Sequence, residues 1–259
     1  MSSTVTVTVT STSDSVVPSW IHRIPEELGR SVKIGDLGDR QAIVGVDNSY
    51  STSTRISFFG GPLSTNFLNV EVNVFTEIVP DNKTTWCTWD DSAVLYKNKR
   101  AFLAAVPNGG TAPECFADNA DIRAALHRAS VLFFSTDGEC DPERFARQQD
   151  QHYSQLSAAV VLLVGRRFRE PSQQNVSVFA PFSQPLLVLH ADDLPSNSSD
   201  AIKVLHASGP FVSQLTERGI TVPSLGDNPS WAEMPSITVQ QIKDLQVVSR
   251  PPLPAGFRE

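Results

Sequence analysis

Four short apolar runs, separated by polar or helical segments, constrain the fold of this chain most strongly. The runs read AIVGVD from residue 42, VLFFS from 131, AVVLLVG from 159 and PLLVLHA from 185. Each is short for a helix, and an unbroken apolar run is typical of a strand that is buried on both faces of a parallel sheet. The four runs therefore predict the central strands of such a sheet.

The segments between the runs carry the signals of connecting helices. Further strands are expected at TTWCTWD and NVSVFAP, and helices at PLSTNFLNVEVNVFTEIV, after a cap at Asp118 or Asn119, at PERFARQQDQHYSQLSA, and from about Ser199 to Leu215. Strands that alternate with helices predict a doubly wound α/β fold. We therefore expect a mainly parallel sheet with helices on both faces.

The chain of 259 residues has the size of one globular domain with flanking segments. We predict an N-terminal arm and lead-in over 1–40, the α/β domain over 41–215, and a tail over 216–259 that packs on the domain or is partly disordered. The N-terminal residues lack the basic start and apolar run of a secretory signal, and no stretch reaches the roughly 18 apolar residues of a membrane span. These features predict a cytoplasmic protein.

The net charge of −7 comes from acidic residues that are scattered along the chain. Nucleic acids and anionic membranes attract basic surfaces, so neither is expected as a partner. Proteins and cations are the expected partners, and the oligomeric state stays open.

Oxygen-bearing side chains follow two of the predicted strands and lie in one loop between them. Asp47, Ser49 and Ser51 form a D-x-S-x-S pattern after the first run, Asp137 follows the second run, and Thr111 lies in NGGTAPE. The carboxyl ends of parallel strands share one edge of a sheet, so these loops are expected to meet. Two carboxylates and three hydroxyls suit a hard cation, which prefers about six oxygen ligands. Because these loops contain no His or Cys, Mg²⁺ or Mn²⁺ is favoured over zinc or copper, and Ca²⁺ stays open.

In this order and spacing, the three loops resemble a von Willebrand factor A domain with a metal-ion-dependent adhesion site. The resemblance spans roughly 42 to 215 and is weakest over 52–83. It implies that Asp47, Ser49, Ser51, Thr111 and Asp137 hold one divalent ion, and that one coordination position stays open for an Asp or Glu carboxylate of a partner protein. The resemblance therefore implies a binding module rather than an enzyme. Neutral hydroxyl ligands agree with this, because they leave the positive charge of the ion uncompensated.

Two other functions compete with adhesion. A metal-dependent hydrolase that acts on a phosphate or ester substrate would use Asp47 and Asp137 to activate water, and it would need a base such as His190 to reach the ion. The chain lacks the G-x-S-x-G, P-loop, G-x-G-x-x-G and H-E-x-x-H motifs of common enzymes. A scaffold that binds no metal is the other alternative, since Ser and Asp are also common in turns and helix caps.

Overall fold

The computed structural model describes residues 31–53, 55–56, 65–137, 153, 156–165, 170–174, 176–179, 182, 185–191 and 202–248. The helix predicted to begin at Pro142 lies mostly outside these residues, as does the predicted arm up to residue 30. None of the helices within the described ranges is long and apolar enough to cross a membrane.

The described residues contain twelve strands and six α-helices. The strands are β1 Ser31–Lys33, β2 Gln41–Asp47, β3 Arg55–Ile56, β4 Thr65–Asn66, β5 Thr84–Trp89, β6 Ala93–Tyr96, β7 Ala129–Thr136, β8 Ala158–Val164, β9 Leu186–Ala191, β10 Ile202–Ala207, β11 Ser236–Ile237 and β12 Gln246–Val248. The α-helices are α1 Phe67–Ile78, α2 Lys99–Phe102, α3 Glu114–Asp118, α4 Ala120–Leu126, α5 Pro210–Glu217 and α6 Val239–Lys243. Short 3-10 turns lie at Tyr50–Ser53, Asp81–Lys83, Pro171–Gln173, Val176–Phe179 and Leu225–Asp227.

An eight-stranded sheet in the order β11-β10-β9-β8-β7-β2-β5-β6 forms the centre of the fold. The five strands from β9 to β5 are parallel to one another. Antiparallel strands complete both sides, because β6 pairs antiparallel with β5, β10 with β9, and β11 with β10. The predicted mainly parallel sheet is confirmed.

Two hydrophobic clusters cover the two faces of the sheet. Successive side chains of a strand point to opposite faces, so Phe133 of β7 packs in one cluster and its neighbour Phe134 in the other. The first cluster also contains buried residues of α1, α2, α5 and α6, and the second contains those of α3 and α4. The prediction of helices on both faces is confirmed, and the fold is a doubly wound α/β architecture.

Side-chain caps fix the start of two predicted helices. The Asn66 side chain accepts a hydrogen bond from the Asn69 amide at 2.9 Å where α1 begins. The Asn119 side chain accepts from the amides of Asp121 and Ile122 at the start of α4. Such caps satisfy amides that have no partner within the helix.

Two sequence predictions are wrong in secondary structure. The sequence predicts a helix from about Ser199 to Leu215, but its first described residues, Ile202–Ala207, form strand β10, and the helix begins only at Pro210. Val204 and Leu205 lie in opposite clusters, which is the alternation of a strand, and Gly209 then turns the chain with a φ of 58°. In NVSVFAP, the residues Val176–Phe179 form a 3-10 turn rather than a strand. The Phe179 ring stacks on that of Phe182 at a centroid distance of 6.0 Å, a tertiary contact that the β-propensity of the segment does not include.

The residues on either side of the predicted domain meet in a two-stranded ribbon, which we define as β1 paired antiparallel with β12. Val32 lies opposite Val247, and both side chains are buried. Ile242 and Leu245, which precede β12, are also buried in the first cluster. Buried residues of 216–248 therefore pack in the same cluster as the described residues of α1 and β2, while the predicted division at 40 and 215 stays a prediction.

Candidate metal centre

The carboxylate of Asp47 connects two of the three predicted loops. Asp47 is the last residue of β2 and is fully buried. One of its oxygens accepts a hydrogen bond from the Ser49 amide, and the other accepts from the Thr136 hydroxyl, both at 2.9 Å. Thr136 ends β7, and Asp137 follows it directly. The structure therefore brings Asp47 and the Asp137 loop together where β2 and β7 end, a region that we call the carboxyl edge.

The two serine hydroxyls of the D-x-S-x-S pattern lie side by side. Ser49 Oγ and Ser51 Oγ are 2.9 Å apart, in a 3-10 turn that the Thr52 hydroxyl stabilises by donating to the Ser49 carbonyl at 2.7 Å. Adjacent ligands placed about 2.1 Å from an octahedral ion are roughly 3.0 Å from each other. The spacing fits a shared cation as well as a mutual hydrogen bond.

The third predicted loop packs against the first through backbone hydrogen bonds. The Tyr50 amide donates to the Gly109 carbonyl at 3.1 Å, and the Asn108 amide donates to the Asn48 carbonyl at 2.6 Å. Gly109 has a φ of 69°, and a side chain at this position would lie 3.0 Å from the Asp90 carboxyl carbon. Glycine is needed for this close approach. Thr111 follows in the same loop and is half-buried.

Burial and a neighbouring acid change the ionisation of Asp47. Removal from water is the largest effect on this carboxyl and, together with the negative charge of Asp137, outweighs the hydrogen bonds from Ser49 and Thr136, so that the pKa is raised from its ordinary value of 3.8 to about 7. The effect of Asp137 agrees with its position, because it directly follows Thr136, whose hydroxyl donates to Asp47. Both effects disfavour a bare negative charge and would be reversed by a bound cation.

Glu71 is a residue of this region that sequence reasoning missed. It lies on α1, is fully buried, and accepts a hydrogen bond on Oε2 from the Ser135 hydroxyl at 2.8 Å. Burial raises the pKa of Glu71 well above its ordinary value, and the charge of Asp47 contributes next. A signal was present, because Leu68, Glu71 and Phe75 lie at i, i+3 and i+7 on one helix face, where apolar side chains are expected.

The acids of the carboxyl edge fit a cation. Within the described part of the chain, no Lys, Arg or His lies within ion-pair distance of the Asp47 or Glu71 carboxylate. In the same residues, no three His, Cys, Asp or Glu side chains converge as metal ligands would. The predicted set contains only two carboxylates, and its other donors are the hydroxyls of Ser49, Ser51 and Thr111. Such a set is suited to a hard, oxygen-preferring ion.

His190 does not lie at the position that a hydrolase would require. It is 1% exposed on β9, and its ring packs 5.0 Å from that of Trp231. In the sheet register it lies opposite Leu163, which in turn lies opposite Thr136. Two strand spacings of about 4.8 Å place His190 roughly 10 Å from the end of β7.

Similar solved structures include a von Willebrand factor type A protein from Catenulispora acidiphila, with 15% identity, a TM-score of 0.39, and coverage of 57% of this chain and 38% of that one. BatB, a conserved hypothetical protein from Bacteroides thetaiotaomicron, is 15% identical with a TM-score of 0.38, over 61% of this chain and 92% of its own. An aerotolerance-related membrane protein from Bacteroides fragilis is 12% identical with a TM-score of 0.30, over 49% and 67%.

This chain thus spans well under half of the Catenulispora protein, whose name is that of the family predicted from the loops. No protein-family model and no curated protein matches the chain. Similarity at these TM-scores carries no statement on function, and the fold is assigned from the observed strand order.

Proposed function

We propose that this chain is a protein-binding module of the von Willebrand factor A type, in which Mg²⁺ or Mn²⁺ recruits an Asp or Glu of a partner protein. The residues that would hold the ion are Asp47, Ser49, Ser51, Thr111 and Asp137. The observation that carries the proposal is the position of the Asp47 carboxylate. It is buried between the Ser49 amide and the Thr136 hydroxyl and so joins the loop of Ser49 and Ser51 to the loop of Asp137.

The proposed ligands would contribute to ion binding in different ways. Asp47 is positioned by two hydrogen bonds and orients the turn that carries Ser49 and Ser51. The two hydroxyls are neutral donors, whereas Asp137 brings a negative charge close to Asp47. When bound, the ion would supply positive charge and an open position for an external carboxylate. The three hydroxyl ligands carry no charge and therefore do not add to the negative charge of the two aspartates, which favours the binding of an external anion.

The surface beside the serines favours a protein partner. Tyr50 lies between Ser49 and Ser51 in sequence, and its side chain is 71% exposed. Val106, in the loop that contacts the Asn48 backbone, is also 71% exposed. Exposed aromatic residues are enriched at protein interfaces, where they act as anchors around a few polar contacts.

Synthetic peptides with a central Asp or Glu test this function directly. A panel of such peptides, each with a matched Asn or Gln version, is titrated in Mg²⁺ and in EDTA while fluorescence anisotropy is measured. We expect binding that requires the ion and the carboxylate and that is lost in Asp47→Ala. Equal binding of acidic and amide peptides, or equal binding in EDTA, would contradict the proposal. Turnover of phosphate or ester substrates that is lost in Asp137→Ala would favour the hydrolase instead.

A further inference from the structure

We propose that Glu71 is a further acidic residue of the metal site and binds the hydrated cation through its Oε1 atom. This inference rests on the proposed function, because it requires that a divalent ion binds at the carboxyl edge. It adds a residue from helix α1 to a ligand set that the sequence places only in the three loops.

The first observation is a carboxylate that is satisfied on one side only. Glu71 is fully buried, and Oε2 accepts the hydrogen bond of Ser135 at 2.8 Å. Oε1 is also buried, and no hydrogen-bond partner for it exists among the residues that the structure describes. Buried polar atoms in folded proteins are nearly always paired, so an oxygen in this situation requires an explanation such as a bound ion or water.

The second observation is where this carboxylate is held. Ser135 is the residue before Thr136, which donates to Asp47, and Asp137 follows. Glu71 interacts electrostatically with both aspartates. The hydrogen bond of Ser135 therefore holds Glu71 against the end of β7 that leads to Asp137, on the side of the sheet that faces α1.

The third observation concerns charge. Glu71 interacts electrostatically with Asp47 and Asp137, but the three acids do not converge as direct ligands of one ion would, so Glu71 would contact the ion through water. Neither Asp47 nor Glu71 forms an ion pair within the described residues. Buried charges are found paired or bound to metals. A divalent cation offers Glu71 the opposite charge that the described side chains do not.

If Glu71 instead has only a structural role, it is a neutral acid that bonds to Ser135, and its replacement would leave metal binding unchanged. Glu71→Gln distinguishes the two roles, because it keeps the size of the side chain and removes the charge. Glu77→Gln is the matched control, since Glu77 lies on the same helix and is exposed.

The measurement is calorimetric titration of Mg²⁺ and Mn²⁺ into metal-stripped protein, with melting curves for each variant. We expect Glu71→Gln to bind the ions about 10- to 100-fold more weakly than wild type, the usual loss when a residue that supports a metal site is replaced. Its melting temperature without metal should equal or exceed that of wild type, because a buried acid has been removed. Glu77→Gln should match wild type in both measurements.

Ser135→Ala is the second variant and keeps the test decisive if Glu71→Gln does not fold. Loss of the Ser135 hydroxyl releases Glu71 from its position, so metal affinity should also fall. Wild-type affinity in Glu71→Gln or, where that variant is unfolded, in Ser135→Ala would overturn the inference and leave the loop ligands intact. Absence of metal binding in wild type would overturn the proposed function together with it.

Discussion

The acidic residues of the ribbon and of the carboxyl edge differ in exposure, in counter-charge and in the direction of their pKa shifts. In the ribbon, Lys33 of β1 donates to Asp244 at 2.7 Å on the protein surface, and this bond holds the pKa of Asp244 below its usual value. At the carboxyl edge, burial raises the pKa of both Asp47 and Glu71. Lys33 supplies the counter-charge in the ribbon, whereas a proton or an added cation would be needed to neutralise Asp47 and Glu71. This difference agrees with the proposed metal site at the carboxyl edge.

The largest expected effect of this difference is a change in the free energy of unfolding of the metal-free protein with pH. Because the pKa of Asp47 is raised from 3.8 to about 7, the folded protein holds a proton over a pH range in which the unfolded chain has released it. The stabilising contribution of this proton is complete below the ordinary pKa and is lost as the pH rises through 7. We expect metal-free protein to be about 2.5 kcal/mol less stable at pH 8 than at pH 5.

Urea unfolding in EDTA at the two pH values measures this change. Asp47→Asn keeps the shape of the side chain and cannot ionise, so its stability should change much less between the same pH values. The pH dependence that Asp244 contributes has the opposite sign, because a carboxyl with a lowered pKa contributes stability that is lost only as the pH falls into the acid range. A wild-type protein that is as stable at pH 8 as at pH 5 would show that Asp47 is not buried as described.

A smaller effect is expected for the loss of one hydroxyl ligand. Ser49→Ala should lower Mg²⁺ affinity at least about tenfold, or about 1.4 kcal/mol, because the Ser49 hydroxyl belongs to the proposed ligand set. Ser53→Ala is the control, since Ser53 ends the same 3-10 turn and is exposed. Both variants are measured by titration calorimetry. Equal Mg²⁺ affinity of Ser49→Ala and Ser53→Ala would contradict the role of Ser49 as a ligand.

The smallest effect is expected in the ribbon. Exposed ion pairs contribute little to stability, and the Lys33 and Asp244 side chains are 56% and 37% exposed. Lys33→Met should melt within experimental error of wild type and bind Mg²⁺ with wild-type affinity. A changed metal affinity in this variant would contradict this comparison, because it would mean that the charges of the ribbon affect cation binding at the carboxyl edge.

The sequence predicted the elements whose signal is local. Strands β2, β7, β8 and β9 are continuous apolar runs because they are buried on both faces of the sheet. Since β2 and β7 are parallel, Asp47, which ends β2, and Asp137, which follows β7, could be placed at the same edge of the sheet. Strand β10 was missed because IKVLHA alternates only weakly in polarity before a genuine helix at Pro210. In such a segment the pairing with the neighbouring strand, here β9, determines the secondary structure, and no pattern within the segment predicts that pairing.

The remaining features depend on contacts between distant parts of the chain. The ribbon joins residues more than 200 positions apart, as in the hydrogen bond from Ser31 to Gln246. Glu71 reaches Ser135 across 64 positions, from a helix to a strand. Spacing along the sequence carries no information about either pairing. The loop residues could therefore be proposed as ligands from the sequence, whereas the sequence marked Glu71 only as an acid on an apolar helix face and did not predict its contact with Ser135.

The most direct test of the central claim is calorimetric titration of Mg²⁺ into metal-stripped wild type and Asp47→Ala, with folding of both proteins verified by circular dichroism. We expect binding close to one equivalent in wild type and none in the variant. A folded wild-type protein that binds neither Mg²⁺ nor Mn²⁺, or an Asp47→Ala variant that binds as tightly as wild type, would contradict the claim.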